Sequence, residues 1–360
     1  MKLIQRTSVL LGVLLLVCGA AAAAPAPADG YPNPEEVLRL TEWPMTFRDH
    51  GGTLLLSDSP ETVPADGILY QDSVSGHGRL FFHHVNGTKE NKKLVVLLSN
   101  DSAEAAQVTV YQHGLGGPGA DYLQVGKAVQ IQYMASPDIY RVEVPSGGSA
   151  HLIYQLDDLT VKPGMLVNGM YDFYADKHVK VSVLMLPVRE NAHKFLHSAP
   201  VLPADEYRLR GTFQGYDRYM VPAAVYDPAQ HGTVVLTLAD NKTDPYVTGI
   251  DATDGSRVVN YGNYGVVYHI FLPSYSGGQL QYWLNPRGGT YAGALGIKYR
   301  YVPTQLNTPA DRPFFGESTL KDIQKIGAFE AGQSLWLTFS PPGASNLPVK
   351  LILRPRPQGR

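Results

Sequence analysis

Gly78-Arg79-Leu80-Phe81-Phe82-His83, followed after a polar turn by Leu94-Val95-Val96-Leu97-Leu98-Ser99-Asn100, is a pair of apolar runs with the grammar of a β-hairpin. A second pair has the same form: Gly265-Val266-Val267-Tyr268-His269, a Ser/Gly turn, then Leu280-Gln281-Tyr282-Trp283-Leu284-Asn285. Side chains alternate along a strand, so Phe81, His83 and Val85 share one face, as do Val267, His269 and Phe271. Both faces are largely apolar, which predicts central strands.

Around these pairs the apolar runs stay short and are punctuated by Gly, Pro, Asn and Asp, the pattern of a sandwich and not of βαβ units. Strands are expected at 53–56, 67–70, 79–84, 93–98, 106–111, 140–144, 150–156 and 177–186. One helix is expected over 121–134, with Asp121 as N-cap and apolar residues at Leu123, Val125, Ala128, Val129 and Ile131, although Gly126 weakens its middle. A short helix is expected at 33–38, where Asn33 caps, Pro34 takes the first helical position and Glu35 and Glu36 meet the positive end of the dipole.

The second half repeats the first in order. Gly52-Thr53-Leu54-Leu55-Leu56 matches Gly232-Thr233-Val234-Val235-Leu236, Gly67-Ile68 matches Gly249-Ile250, and Val179-Lys180-Val181 matches Val349-Lys350-Leu351. Asn100 to Ser149 and Asn285 to Ser334 are both 49 positions apart, which aligns 147–152 with 332–337. A period this long makes each copy a domain with its own core. The expected fold is therefore all-β: two tandem β-sandwich domains, Ig-like or jelly-roll-like, with minor helix, arising by internal duplication. The expected boundaries are a signal peptide at 1–24, a spacer and short helix at 25–50, a first domain at 51–189, a linker at 190–205 and a second domain at 206–360.

The N-terminus has Lys2 and Arg6, an apolar stretch at 9–17 and a run of Ala, the layout of a secretory signal peptide. Its apolar stretch is short of the roughly 20 residues a membrane helix needs, and no later stretch supplies a transmembrane anchor. The single cysteine, Cys18, lies in this leader. A mature chain without cysteine has no disulfide, thiolate metal site or cysteine nucleophile, which suits a bacterial envelope or extracellular protein. Acylation at Cys18, the lipoprotein alternative, lacks the small residue expected just before it. Removing Lys2 and Arg6 from the 30 basic residues leaves 28 against 32 acids, a net charge of −4. There is no basic stripe for nucleic acid and no polybasic amphipathic helix for a lipid surface.

Candidate chemistry divides into several patterns. His83 and His84, with His113 or His151, suggest a metal, but adjacent strand residues point to opposite faces, and His83 reads as structural. The run Gln112-His113-Gly114-Leu115-Gly116-Gly117-Pro118-Gly119 resembles a phosphate loop only superficially and reads as a flexible connection. Asp240, Asp244, Asp251 and Asp254 lack EF-hand spacing and read as turn formers. No metal and no cofactor is expected. The tripeptides at Asn86, Asn100 and Asn241 fit N-x-Ser/Thr and become glycosylation sites only in a eukaryotic host.

No Gly-x-Ser-x-Gly elbow, His-Glu-x-x-His or Ser-x-x-Lys set is present. The candidate ligand-binding residues are Asn260, Tyr261, Asn263, Tyr264, Arg287 and Tyr291, on glycine-rich loops flanking the second strand pair. Flat rings with amide partners suit sugar or peptide recognition. The function expected is a secreted, non-enzymatic binding or structural module of the cell envelope or extracellular space, its partner a cell-wall or extracellular polysaccharide or another envelope protein. The alternative is an extracellular polysaccharide-acting enzyme, a glycoside hydrolase or lyase, with carboxylates from separate strands meeting in a cleft. An inward-facing pair of acids in a deep groove would sink the binding module in favour of the enzyme; a shallow patch of Tyr261, Tyr264 and Tyr291 would support the binding module, and burial of those tyrosines would remove its residue-level support.

Overall fold

Two unusually long strands, Gly67–Asn86 and Leu166–Pro187, run antiparallel through the first half of the chain, in a computed structural model that describes residues 36–135, 138–317 and 322–356. Their ladder shifts register between Ala175 and Val179, opposite Gly76, and the shift divides each strand in two. Residues 166–175 are flanked on the other side by Ala106–Gly119, whereas 180–187 are flanked by Lys92–Asn100. One strand pair thereby serves two patches of sheet, and neither expected hairpin forms: the first apolar run belongs to a strand that starts at Gly67 and is separated from Lys92–Asn100 by Leu166–Pro187, while Val267–Phe271 and Gln279–Pro286 lie in different sheets.

The fold is all-β, and among the described residues the strands form sheets of eleven, six and five members. In the six-stranded sheet, Val267–Phe271 pairs with Leu335–Phe339, which pairs with Gly293–Tyr299 and through it with Val302–Thr308. That order repeats the first half, where the C-terminal part of Gly67–Asn86 meets 166–175, then Ala106–Gly119, then Tyr140–Val144. Likewise Val349–Pro355, Gln279–Pro286 and Gln324–Glu330 follow the order of 180–187, Lys92–Asn100 and Gly148–His151. The equal spacing of 49 residues misled here. Gly148–His151 pairs with Lys92–Asn100, while Leu335–Phe339 occupies the position of 166–175.

The halves do not part at 190–205. Thr41–Glu42 and Met45–His50, expected to be spacer, pair with Val234–Leu238 and Asp217–Pro222. In the other direction, Arg210–Gln214 pairs with Thr53–Ser57 and carries Thr248–Ile250 and Arg257–Val259 into the first-half sheet. The expected linker holds the short helix Ala192–Leu196, and Leu202 is buried with its N–H bonded to the Ile68 carbonyl. The largest apolar cluster joins Leu54, Leu56, Phe81 and Met170 to Tyr268, Leu284, Leu337 and Leu351. Cores separated at a linker were expected; one cluster is indeed drawn from residues 55–202 alone, but the exchanged strands put residues from both halves into the largest one, and Pro32–Arg360 forms one compact unit. The expected leader, and the start of the helix at Asn33, Pro34 and Glu35, lie outside the described residues; the described remainder is a 3₁₀ turn, Val37–Arg39.

The helix Tyr122–Met134 forms as expected, with the Asp121 carboxylate accepting from the Gln124 N–H. The glycine-rich stretch before it is not a flexible loop but the continuation of the strand Ala106–Gly119. A Cβ at Gly114 would stand 2.2 Å from the Val129 carbonyl oxygen, and one at Gly116 would stand 2.3 Å from that of Val125. The glycines let the helix lie directly on the strand.

Gly126 serves the helix's other contact. A Cβ there would lie 1.9 Å from the backbone oxygen of Gly343, which cannot swing aside as a side chain would. Gly126→Ala is therefore expected to lower stability in urea unfolding. The overpacking cost of about 1–3 kcal/mol outweighs the roughly 1 kcal/mol that alanine gains in a free helix. An unchanged or higher midpoint would show that this helix does not need its close approach to the 343 loop.

Candidate functional site

Arg79 is the charged residue inside the opening apolar run, and it is almost fully buried at 2% exposure. It pairs across the ladder with Asp172. The contact is bidentate, with Nε donating to Oδ1 at 2.6 Å and Nη2 to Oδ2 at 2.7 Å. Nη1 donates to the carbonyls of Tyr216 at 2.7 Å and Gly265 at 3.2 Å, both from the second half. Nη2 also donates to the Tyr133 hydroxyl, which in turn donates to Asp172 Oδ2. A second carboxylate, Asp217 Oδ1, lies 3.0 Å from Nη2, an ion contact without hydrogen-bond alignment. The guanidinium thus ties the long strand pair, the helix and the second half together, with the Tyr216 ring 4.2 Å from its carbon.

This network forms one wall of a cavity of about 370 Å³ between the halves. Gln112, His269, Lys298, Thr304 and Thr338 add polar groups around it, while Tyr111, Tyr133 and Tyr216 add aromatic surface. The His269 ring is stacked on Tyr219 at 4.7 Å, and its Nε2 stands 3.7 Å from Asp217 Oδ2. Burial pushes the Asp217 carboxyl up, but the His269 imidazole and the Arg79 charge outweigh it and hold the group below the usual carboxylate range. Burial raises the Tyr111, Tyr133 and Tyr216 phenols, so they stay neutral hydrogen-bonding groups. The four charges of the wall balance, Arg79 and Lys298 against Asp172 and Asp217.

The loop residues expected to bind a ligand do not form a surface. Asn260 and Asn263 are fully buried. Asn260 exchanges hydrogen bonds with the Tyr264 backbone, and Asn263 accepts from the Val247 N–H and donates to the Tyr268 hydroxyl. Tyr264 packs on Phe81 and donates to the Ser345 carbonyl. Tyr291 has no exposure and meets Phe315 edge-on. Arg287 is half-buried, and its backbone N–H bonds to the Pro348 carbonyl. Only Tyr261 of the six stands largely in solvent, at 54%. Tight glycine-rich turns leave backbone groups unmet, and the amide side chains satisfy them.

The histidines and aspartates considered for metal are individually engaged. His83 Nδ1 lies 3.0 Å from Asp58 Oδ1. His84 Nδ1 donates to the Pro60 carbonyl, which leaves Nε2 to accept from the Ser57 hydroxyl at 2.8 Å. His113 stacks on Tyr171, and His151 stands edge-on to His193. Asp244 ion-pairs with Arg218, Asp251 with Arg210 and Asp254 with Arg208, while Asp240 accepts three backbone N–H groups of its own turn. Among the described residues no three His, Cys, Asp or Glu side chains converge as metal ligands.

The chain matches no protein-family model and no curated protein. Among solved structures it is similar to a cupin 2 conserved barrel domain protein from Leptotrichia buccalis, at 8% identity over 90% of this chain and 95% of that one, with a TM-score of 0.15. Oxalate decarboxylase of Bacillus subtilis gives 8% identity, 86% and 80% coverage and a TM-score of 0.13. Vicilin from Solanum lycopersicum gives 10%, 83% and 84%, and 0.11. TM-scores this low carry no assignment, and the all-β class rests on the sheets themselves.

Proposed function

We propose that this chain is an exported, non-enzymatic binding module of the cell envelope or extracellular space, and that the cavity beside Arg79 takes a neutral sugar of a cell-wall or extracellular polysaccharide. Export is inferred from the leader-like sequence at 1–24. The observation that carries the ligand reading is the guanidinium standing between two inward-facing carboxylates, in a cavity whose remaining polar groups are uncharged or balanced. Its volume falls within the range of small-molecule sites, and tyrosine rings with fixed amide, hydroxyl and imidazole groups suit a polyhydroxylated ring.

A pair of acids in a groove would ordinarily favour a glycosidase. Such an enzyme needs one carboxyl held protonated near neutral pH to act as acid. Asp217 is held in the opposite direction, and both Asp172 oxygens are bonded to Arg79. Acids compensated in this way hold a wall in place and do not deliver protons.

The test is retention of the mature chain on isolated cell wall and on a glycan array, beside His269→Ala and Lys298→Ala. Losing one ligand hydrogen bond is worth about 0.5–1.5 kcal/mol, so each variant is expected to weaken retention about 2- to 13-fold at unchanged melting temperature. Retention on no glycan would overturn the carbohydrate reading, and release of shortened products from a retained glycan would overturn the non-enzymatic one.

A further inference from the structure

The cavity beside Arg79 has a neighbour. A second cavity of about 580 Å³ is lined by His50, Thr53, Ser75 and His77, and it shares three residues with the first: Tyr111, Tyr216 and Asp217. The shared residues are the partition. Tyr111 and Tyr216 meet hydroxyl to hydroxyl at 3.2 Å, one phenol coming from each half of the chain. The partition is fixed from behind, since the Tyr216 ring lies on the Arg79 guanidinium and the Tyr111 hydroxyl is 3.2 Å from His77 Nδ1.

Aromatic rings continue around both hollows. Beyond the second cavity, His77 meets Tyr174 at 5.1 Å, and Tyr174 is 44% exposed. Tyr219, 41% exposed, touches both linings, stacked on His269 of the first cavity and edge-on to His50 of the second. Half-exposed rings along a hydroxyl-bearing bar between two polar hollows describe a continuous track and not a single closed pocket.

We infer that the ligand is an oligosaccharide chain laid across the Tyr111–Tyr216 bar, with one sugar unit beside Arg79 and Asp217 and the next beside His77 and Ser75. This rests on the carbohydrate reading and adds that the site counts at least two units. The Tyr111–Tyr216 hydroxyls sit where a linkage oxygen and its neighbouring hydroxyls would pass. A second unit adds the contacts of the second hollow to those of the first, so affinity should step up when both are filled.

Calorimetric titration of the mature chain with glucose, xylose, mannose and N-acetylglucosamine, and with the β-1,4-linked dimer to hexamer of each, tests this. In at least one series, affinity is expected to rise about tenfold or more between monomer and trimer. Ser75→Trp, at an exposed position lining only the second cavity, fills that hollow and should remove the gain while leaving monomer binding unchanged. His77→Ala, which also releases the Tyr111 hydroxyl, should weaken oligomer binding more than monomer binding. Equal affinity for monomer and oligomer, or equal loss of both in the two variants, would overturn the two-unit track and leave the single-sugar site standing. Absence of binding across all four series would overturn the carbohydrate reading, and the track with it.

Discussion

Replacing Arg79 by leucine is expected to lower the stability of the fold by about 3–5 kcal/mol, the usual consequence of removing one partner of a buried ion pair. The guanidinium and the Asp172 carboxylate are 2% and 5% exposed, so water cannot replace the lost partner. The substitution leaves Asp172 and Asp217 facing each other across the vacated volume, and also strips the Tyr216 and Gly265 carbonyls of their donor. The loss therefore has a repulsive part and an unsatisfied-acceptor part. Equilibrium unfolding in urea of Arg79→Leu, and of Arg79→Leu combined with Asp172→Asn and Asp217→Asn, separates them. The triple variant should recover a substantial share of the loss, because the neutral amides no longer repel. A cost below about 1 kcal/mol for the single variant would mean that the halves are held by apolar packing alone.

Arg79 stood in the stretch from which the fold was legible, yet its role was not. The alternation of Gly78 to His83 identifies the strand, and a charge inside it is the one signal that something must meet it there. What meets it comes from Asp172, Tyr133, Tyr216 and Asp217, brought together by pairings that no local pattern announces. The helix Tyr122–Met134 was legible because its cap and its apolar face are local. The strand exchange that joins Met45–His50 to Asp217–Pro222 was not, because a short exposed strand and a spacer share a composition. The strands themselves were legible from the apolar runs, whereas their pairing was not: the two runs of each expected hairpin are divided, by Leu166–Pro187 in one half and between two sheets in the other, and the alignment of 147–152 with 332–337 rested on turn residues that any sandwich uses. Asn260, Asn263 and Tyr291 were misplaced for a related reason: an amide or phenol that braces a glycine-rich turn has the same sequence signature as one that meets a ligand.

The same strand carries a liability toward acid, and His84 is its source. Its ring is fully buried, Nδ1–H donates to the Pro60 carbonyl, and Nε2 accepts from the Ser57 hydroxyl, an arrangement that only the neutral imidazole satisfies. Burial, offset in part by the Pro60 carbonyl, pushes the group down to about 3. In the unfolded chain it takes a proton below its ordinary value of 6.5. The unfolded state then binds more protons than the folded one, so the stability present above pH 6.5 is lost as pH falls toward 3. The depression corresponds to about 4–5 kcal/mol at 1.36 kcal/mol per pKa unit. Asp58 acts oppositely, since burial raises its carboxyl to about 6, outweighing His83, and the folded state holds that proton more tightly between pH 4 and 6. His83 is itself raised, its desolvation outweighed by the Asp58 charge, so its contribution fades as pH rises past 6.5. These two act alike in wild type and in His84→Gln, and the difference between the two stability curves isolates His84. His84→Gln should be less stable at pH 7.5, where it loses a fitted hydrogen bond, and should close that gap or reverse it by pH 3.5. Parallel curves across that range would show that the buried imidazole takes up its proton without opening the fold, and that the acid sensitivity of this strand lies elsewhere.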